Sequence, residues 1–148
     1  MKTGFFEDSM GGVSGMTILL DVDGTLVPDG ERVVPENVCG IVEKLKGTNT
    51  VYLVSNGTDV TRVEAIAGML GVFVAPAGAP AGKPSRDAIR GIPTDKPFVV
   101  VGDKLVTDGF LARNIHARFI HTRSKFSGRE GLTVRFSYML EHVLSWFL

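Results

Sequence analysis

The residues best suited to chemistry lie in four short polar stretches, most of them directly after an apolar run. In chain order they are Asp21, Asp23, Ser55, Asn56, Lys83, Asp103 and Asp108. Carboxylates, a hydroxyl and an ammonium supply nucleophiles, proton carriers and ligands for anionic groups. If the apolar runs are parallel strands, their carboxyl ends share one edge of a sheet, and these groups would face one another there.

Carboxylates dominate this set. A single Asp-x-Asp such as Asp21-Val22-Asp23 is equally compatible with turn capping, but Asp103 and Asp108 follow another apolar run. Several carboxylates at one sheet edge repel one another unless a cation lies between them. Oxygen-only ligands favour Mg²⁺ over zinc, and the loops hold few arginines for a salt-bridge cluster. We therefore predict a Mg²⁺ site.

Two further stretches allow more than one interpretation. Ser55 and Asn56 are good helix caps, yet a hydroxyl and free N–H groups at a helix N-terminus also suit a phosphate oxygen. The stretch before Lys83 imitates the nucleotide-binding loop G-x-x-x-x-G-K-[ST]. Ala77 replaces its first glycine and Pro84 replaces its Ser or Thr, which excludes that loop. Lys83 is predicted instead to lie at the same sheet edge as the acids.

In this order the four stretches resemble the motifs of the haloacid dehalogenase superfamily of phosphotransferases. Asp21–Val27 (DVDGTLV) looks like the first motif, and Gly102–Asp108 (GDKLVTD) looks like the fourth. Ser55 and Lys83 stand where the second and third motifs contribute single residues. The resemblance spans residues 17–121.

The resemblance implies a phosphatase that works through an aspartyl phosphate, with Asp21 as nucleophile and Asp23 as the acid–base residue. By the same resemblance, the phosphate-binding residues would be Ser55, Asn56 and Lys83. The Mg²⁺ ligands would be Asp21, Asp23 (by its backbone carbonyl) and Asp103, and the supporting residues would be Thr25 and Asp108.

Two negative charges 4 Å apart repel by about 4 kcal/mol at an effective dielectric of 20. Mg²⁺ and a lysine would remove that penalty when a carboxylate approaches a phosphate.

The elements that must position these residues follow from hydrophobic periodicity. Apolar runs predict five strands, over Thr17–Leu20, Thr50–Val54, Val72–Ala75, Phe98–Val101 and Ala117–His121. Helices are predicted around 38–45, from Thr58–Asp59 to Gly71 with a capping box of Thr61 and Glu64, over Ser85–Arg90 and Thr107–Asn114, and over 131–147. The alternation predicts an α/β fold of three layers with about five parallel strands. The resemblance implies that this is the Rossmann-like fold of the haloacid dehalogenase superfamily, without a cap domain.

Composition limits the other classes. The 148 residues, 44% hydrophobic and 22% charged, fit one globular domain over 16–148. Residues 1–15 are expected to form a flexible N-terminal tail. The 16 basic and 16 acidic residues cancel, so no specific nucleic-acid partner is expected. The apolar runs are too short to span a membrane, and the single Cys39 fits a reducing cytoplasm.

The spacing between the motifs leaves no room for a cap. Only 33 residues separate Asp21 from Ser55, and 27 separate Ser55 from Lys83. The site is therefore expected to be open, for a substrate that is large, membrane-borne or enclosed by a neighbouring subunit. The fourth motif also resembles a capless branch that contains mitochondrial phosphatidylglycerophosphate phosphatases and small bacterial relatives. That branch typically has D-L-D-N-T-L and S-N-N where this chain has DVDGTL and SNGT.

The C-terminal part bears on the substrate. Residues 111–148 hold six basic and two acidic residues, a net charge of +4, which suits peripheral contact with an anionic membrane. The last helix is apolar enough to pack on the core, on a second copy of the chain or on a membrane surface. We expect a Mg²⁺-dependent phosphomonoesterase acting on a phospholipid head group such as phosphatidylglycerophosphate. The alternatives are a phosphatase for a soluble phosphorylated sugar or nucleotide with an oligomeric lid, and a receiver-like or catalytically inactive binding domain.

Overall fold

The computed structural model describes residues 4–76 and 82–147. Residues 1–3 of the predicted tail and 77–81 of the glycine-rich stretch before Lys83 lie outside the described residues. A five-stranded parallel sheet has the order β3-β2-β1-β4-β5. Its strands are β1 (Thr17–Leu20), β2 (Thr50–Leu53), β3 (Phe73–Val74), β4 (Phe98–Gly102) and β5 (Arg118–His121). The predicted α/β class is confirmed.

Helices cover both faces of this sheet, which gives three layers. The helices are α1 (Phe6–Ser9), α2 (Glu36–Lys46), α3 (Val60–Leu70), α4 (Phe110–Asn114) and α5 (Leu132–Phe147). Ile18 and Leu20 of β1 share a core with Val42 of α2 and Ile66 of α3, whereas Leu19 packs in a second core with Leu111 of α4. All four residues of β1 are buried, as expected for a central parallel strand.

Local signals set both boundaries of α3. In α3 the N-cap is Asp59, whose carboxylate accepts the N–H of Arg62 at 3.0 Å, and Gly71 (φ 65°) ends the helix in the left-handed region. The predicted capping box of Thr61 and Glu64 is therefore wrong, because Thr61 already lies inside the first turn. The predicted helix over 107–114 is divided into a π-helical turn, Leu105–Gly109, and the short α4.

The N-terminal segment differs from the tail predicted for it. Phe6 of α1 is completely buried, and Met10 and Val13 are buried with it in the same core as Val38 of α2. Four glycines in the first fifteen residues obscure this apolar pattern in the sequence. Residues 4–13 pack on the domain rather than extending from it.

The strand order determines where a site can form. From β1 the chain moves outward to β2 and β3, and then crosses to β4 on the opposite side of β1. The carboxyl ends of β1 and β4 therefore flank the point where the connections diverge, and ligands of open α/β sheets bind in such a crevice. Among the described residues, the helices are all too short or too polar to cross a bilayer.

We predict that Phe6→Ala lowers the free energy of unfolding by about 3–5 kcal/mol, because it removes a fully buried aromatic side chain. Urea titration followed by circular dichroism measures the change. The matched control is Phe136→Ala on α5, which removes the same side chain where 61% of the residue is exposed and should change stability by less than about 1 kcal/mol. Equal effects of the two substitutions would contradict the packing described for α1.

Candidate functional site: a buried acidic cluster with one lysine

Asp21 begins the site at the carboxyl end of β1. Its backbone N–H donates to the carbonyl of Val101 at 2.9 Å, so β4 fixes the residue just beyond the strand. The chain then turns sharply at Gly24, where φ is +81°. This turn brings the buried Thr25 back to the strand end, where its hydroxyl lies 3.0 Å from Asp21 Oδ2 and 3.3 Å from Asp103 Oδ1.

Three buried carboxylates meet at this point. Asp21, Asp103 and Asp108 each offer an oxygen, and these oxygens lie within 4.8 Å of one another. Asp103 follows β4, and Asp108 returns one π-helical turn later, where it accepts the N–H of Lys104 at 3.2 Å. A Cβ atom at Gly102 would overlap the Asp108 side chain, so the close approach requires glycine there.

The Lys83 ammonium lies between two of these carboxylates. Its Nζ atom is 2.7 Å from Asp21 Oδ1 and 2.6 Å from Asp108 Oδ1, and its side chain is only 3% exposed. The loop that carries it is held by Asn56, whose amide oxygen accepts the Lys83 N–H and whose amide nitrogen donates to the Lys83 carbonyl, both at 2.8 Å. The Asn56 side chain therefore positions Lys83 by hydrogen bonds to the main chain of Lys83.

The electrostatics of the cluster are unbalanced toward negative charge. Burial raises the pKa of Asp103 well above its ordinary value, and the charge of Asp21 raises it further. Burial and Asp21 likewise raise the pKa of Asp108 to about 6, against the opposing effect of Lys83. Burial alone would lower the pKa of Lys83, but Asp21 and Asp108 outweigh it and raise that pKa. One ammonium does not compensate three carboxylates, and an oxygen-liganded cation would fit the donor set.

Asp23 lies beside this cluster and has a different partner. Its carboxylate forms a two-bond ion pair with the guanidinium of Arg62, at 2.6 and 3.2 Å, and also accepts the N–H of Gly30 at 3.0 Å. Arg62 is 5% exposed and lies in the first turn of α3. Ser55 is close by, and its hydroxyl accepts the Gly57 N–H at 3.0 Å, as a turn cap does.

Several residues at the site were not singled out from the sequence. Ser124 donates to Asp103 Oδ2 at 2.9 Å, and the His121 ring lies 3.1 Å from the Asp103 carbonyl. Both follow or end β5, which neighbours β4 at the same sheet edge. Arg62 was also missed. The signal that could have identified all three is a polar residue at or just after the end of β5, or in the first turn of α3, the helix that follows β2.

The far side of Asp103 opens into a cavity of about 740 Å³ beneath α5. Its walls include Phe5, His121, Arg123, Lys125, Phe126 and Tyr138. The helix is fixed above the cavity by Glu141, which accepts the N–H groups of Leu105 and Val106 at 2.8 Å each. A carboxylate on free N–H groups at the start of the π-helical turn is a favourable docking contact.

Comparison of the chain with protein-family models, curated proteins and solved structures gave no match.

The sequence-predicted site residues fall into two groups in the structure. Asp21, Thr25, Lys83, Asp103 and Asp108 form one buried cluster. Asp23, Ser55 and Asn56 lie around it, on the side of α3 and the Lys83 loop. The arrangement could hold a metal ion and an anionic group together.

We predict that Asp103→Asn raises the melting temperature of the metal-free protein and abolishes its stabilisation by Mg²⁺. Removing one of three clustered carboxylates relieves repulsion, and a gain of about 1 kcal/mol corresponds to roughly 3–5 °C for a domain of this size. Scanning calorimetry with EDTA or with Mg²⁺ measures both effects. The exposed Asp95→Asn is the matched control and should change neither. A rise in melting temperature with Mg²⁺ that persists in Asp103→Asn would contradict the predicted ion site.

A pH dependence follows from Asp108. Its folded pKa, about 6, exceeds the ordinary 3.8, so between about pH 4 and 6 the unfolded chain loses this proton first. This group therefore lowers stability as pH rises through that window. We predict that the unfolding free energy of the metal-free wild type falls, relative to Asp108→Asn, by about 2–3 kcal/mol from pH 4 to 6.5. Parallel pH profiles of the two proteins would contradict the raised pKa.

Proposed function

We propose that this protein is a Mg²⁺-dependent phosphomonoesterase of the haloacid dehalogenase type, with Asp21 as its nucleophile. The observation that carries the proposal is the Lys83 ammonium, held between Asp21 and Asp108 in a buried acidic cluster at the switch point of the sheet. A lysine beside a nucleophilic carboxylate, with further carboxylates for a cation, suits phosphoryl transfer because that reaction depends on charge stabilisation.

The donor set fits Mg²⁺. The carboxylates of Asp21 and Asp103 and the backbone carbonyl of Asp23 would hold the ion, with Asp108 supporting the site through Lys83. When bound, Mg²⁺ supplies positive charge that neutralises the carboxylates and the phosphoryl oxygens. The raised pKa values of Asp103 and Asp108 support this assignment, since they show carboxylates that lack sufficient counter-charge within the chain.

The proposed reaction has two displacements at phosphorus. A carboxylate oxygen of Asp21 attacks, the bond from phosphorus to the alcohol oxygen breaks, and that oxygen takes a proton from Asp23. Asp23 then removes a proton from water, whose oxygen attacks phosphorus and releases phosphate, which restores the Asp21 carboxylate. Splitting the hydrolysis in this way is nucleophilic catalysis.

The contacts of the two aspartates suit these different roles. Lys83 holds Oδ1 of Asp21 and Thr25 approaches Oδ2, so the nucleophile is fixed from two sides. Asp23 is bound to Arg62 in this structure, and to reach a leaving oxygen it has to exchange that partner. The buried Arg62 is then left beside the site with a guanidinium suited to a phosphoryl oxygen.

A phospholipid head group is the proposed substrate class, supported by the outer face of α5. Seven apolar residues recur there at helical spacing and are exposed, at positions Leu132, Phe136, Met139, Leu140, Val143, Trp146 and Phe147. Exposed arginines lie on α5 and in the part of the chain that leads to it, at Arg135 and at Arg118, Arg123 and Arg129. An exposed apolar helix face in a basic part of the chain is typical of interfacial membrane helices.

We predict Mg²⁺-dependent phosphate release from phosphatidylglycerophosphate in mixed micelles, at least tenfold faster than from soluble sugar and nucleotide phosphates. Asp21→Asn should reduce the rate on the order of 10³-fold or more, because the nucleophile is lost. Asp95→Asn serves as the matched control, and phosphate is measured colorimetrically.

A second pair of variants tests the lipid assignment separately. Phe136→Ser with Trp146→Ser should slow release from lipid micelles but leave hydrolysis of a soluble ester unchanged. Preference of the wild type for soluble esters would contradict the lipid substrate and leave the phosphatase proposal in place. Inactivity toward all of these esters in the presence of Mg²⁺ would contradict the phosphatase proposal.

A further inference from the structure

The Tyr138 hydroxyl is a buried polar group that the proposed reaction does not use. Tyr138 is 6% exposed, and its hydroxyl oxygen has no hydrogen-bond partner among the described residues. A side chain added at Gly24 would overlap both this hydroxyl and the Asp103 carboxylate. The phenol and the carboxylate therefore border the same small space at the turn of the Asp21 loop.

Three contacts fix the tyrosine in this position. The ring of Phe126 packs edge-on against it, with ring centroids 4.6 Å apart, and the Lys104 ammonium lies 4.9 Å from the ring centroid. One turn further along α5, Glu141 accepts two backbone N–H groups from the π-helical turn. The hydroxyl is consequently held at the site by packing, a cation–π contact and the docking of the whole helix.

Such a hydroxyl is costly in the ligand-free protein. A buried polar group without a partner opposes folding, because it has lost its hydrogen bonds to water and gained none in the protein. Burial, followed by the charge of Asp103, raises the pKa of Tyr138, so the phenol keeps its proton and is a donor. The Tyr138 hydroxyl is thus a rigidly held donor that points into an acidic site and has no acceptor there among the described residues. This arrangement is explained if the acceptor is part of the ligand and arrives when the ligand binds.

We propose that the Tyr138 hydroxyl donates a hydrogen bond to an oxygen atom of the ligand held at Asp103, so that α5 completes the site. This inference rests on the proposed function, because the ligand is Mg²⁺ together with a phosphoryl group. The acceptor oxygen belongs either to the hydration water of the ion or to the phosphoryl group. Tyr138 is then a binding residue contributed by an element outside the four sequence motifs.

The test is Tyr138→Phe, which removes only the hydroxyl. In the ligand-free state the melting temperature should stay the same or rise, since no hydrogen bond is lost. Binding is measured by titration calorimetry and thermal shift with two probes, Mg²⁺ alone and Mg²⁺ with orthophosphate. We expect about a 5- to 12-fold loss of affinity, the equivalent of one hydrogen bond.

The matched control is Tyr52→Phe, which alters the other tyrosine of the chain, on β2 against Phe73. It should leave both affinities unchanged. A loss with Mg²⁺ alone identifies a hydration water as the acceptor, and a loss only with orthophosphate present identifies a phosphoryl oxygen. A purely structural role predicts the opposite pattern, a lower melting temperature of the ligand-free Tyr138→Phe protein with unchanged affinities.

Two failures are distinguishable. If the wild type binds the probes and Tyr138→Phe binds them equally well, the Tyr138 inference is overturned while the proposed function stands. If the wild type binds neither Mg²⁺ nor Mg²⁺ with orthophosphate, both the proposed function and the inference that rests on it are overturned.

Discussion

Three carboxylates share one buried space with a single ammonium, and much of the structure around them serves to keep them there. The hydrogen bond from Asp21 to β4, the glycines at 24 and 102 and the Asn56 clamp on Lys83 each maintain a short contact within the cluster. Like charges at this distance in a buried environment oppose folding. The cluster therefore lowers stability near the strand ends, where its carboxylates could hold a cation.

Much of this arrangement could be predicted from the sequence because parallel strands align their carboxyl ends. The apolar run Thr17–Leu20 coincides with β1, and the residues that leave β1 and β4 do meet. Spacing could not predict which partner each acid would find. Asp23 pairs with Arg62 rather than joining the cluster, because the orientation of α3 brings a guanidinium to it.

Irregular segments concealed the remaining features. The glycines of the first fifteen residues hide the apolar side chains of α1, and the N-cap of α3 lies two residues before the predicted capping box. The position of α5 on the domain depends on the path of residues 122–131. These residues show no hydrophobic periodicity from which that path could be predicted. Tyr138 consequently looked like one more apolar position of an amphipathic helix, although its neighbour by one turn, Glu141, fixes its place at the site.

The strand order also has a consequence for how the chain folds. The register of β1 with β4 joins Thr17 to Phe98, and Lys83 approaches Asp21 across 62 positions of sequence. Contacts of such separation are slow to form, because a long loop must close before they contribute. The cluster therefore cannot exist in a chain that has made only its local helices and the β1–β2 pair. An ion could therefore bind at the cluster only after the sheet is complete. Its binding free energy would stabilise the fully folded chain and no partly folded one.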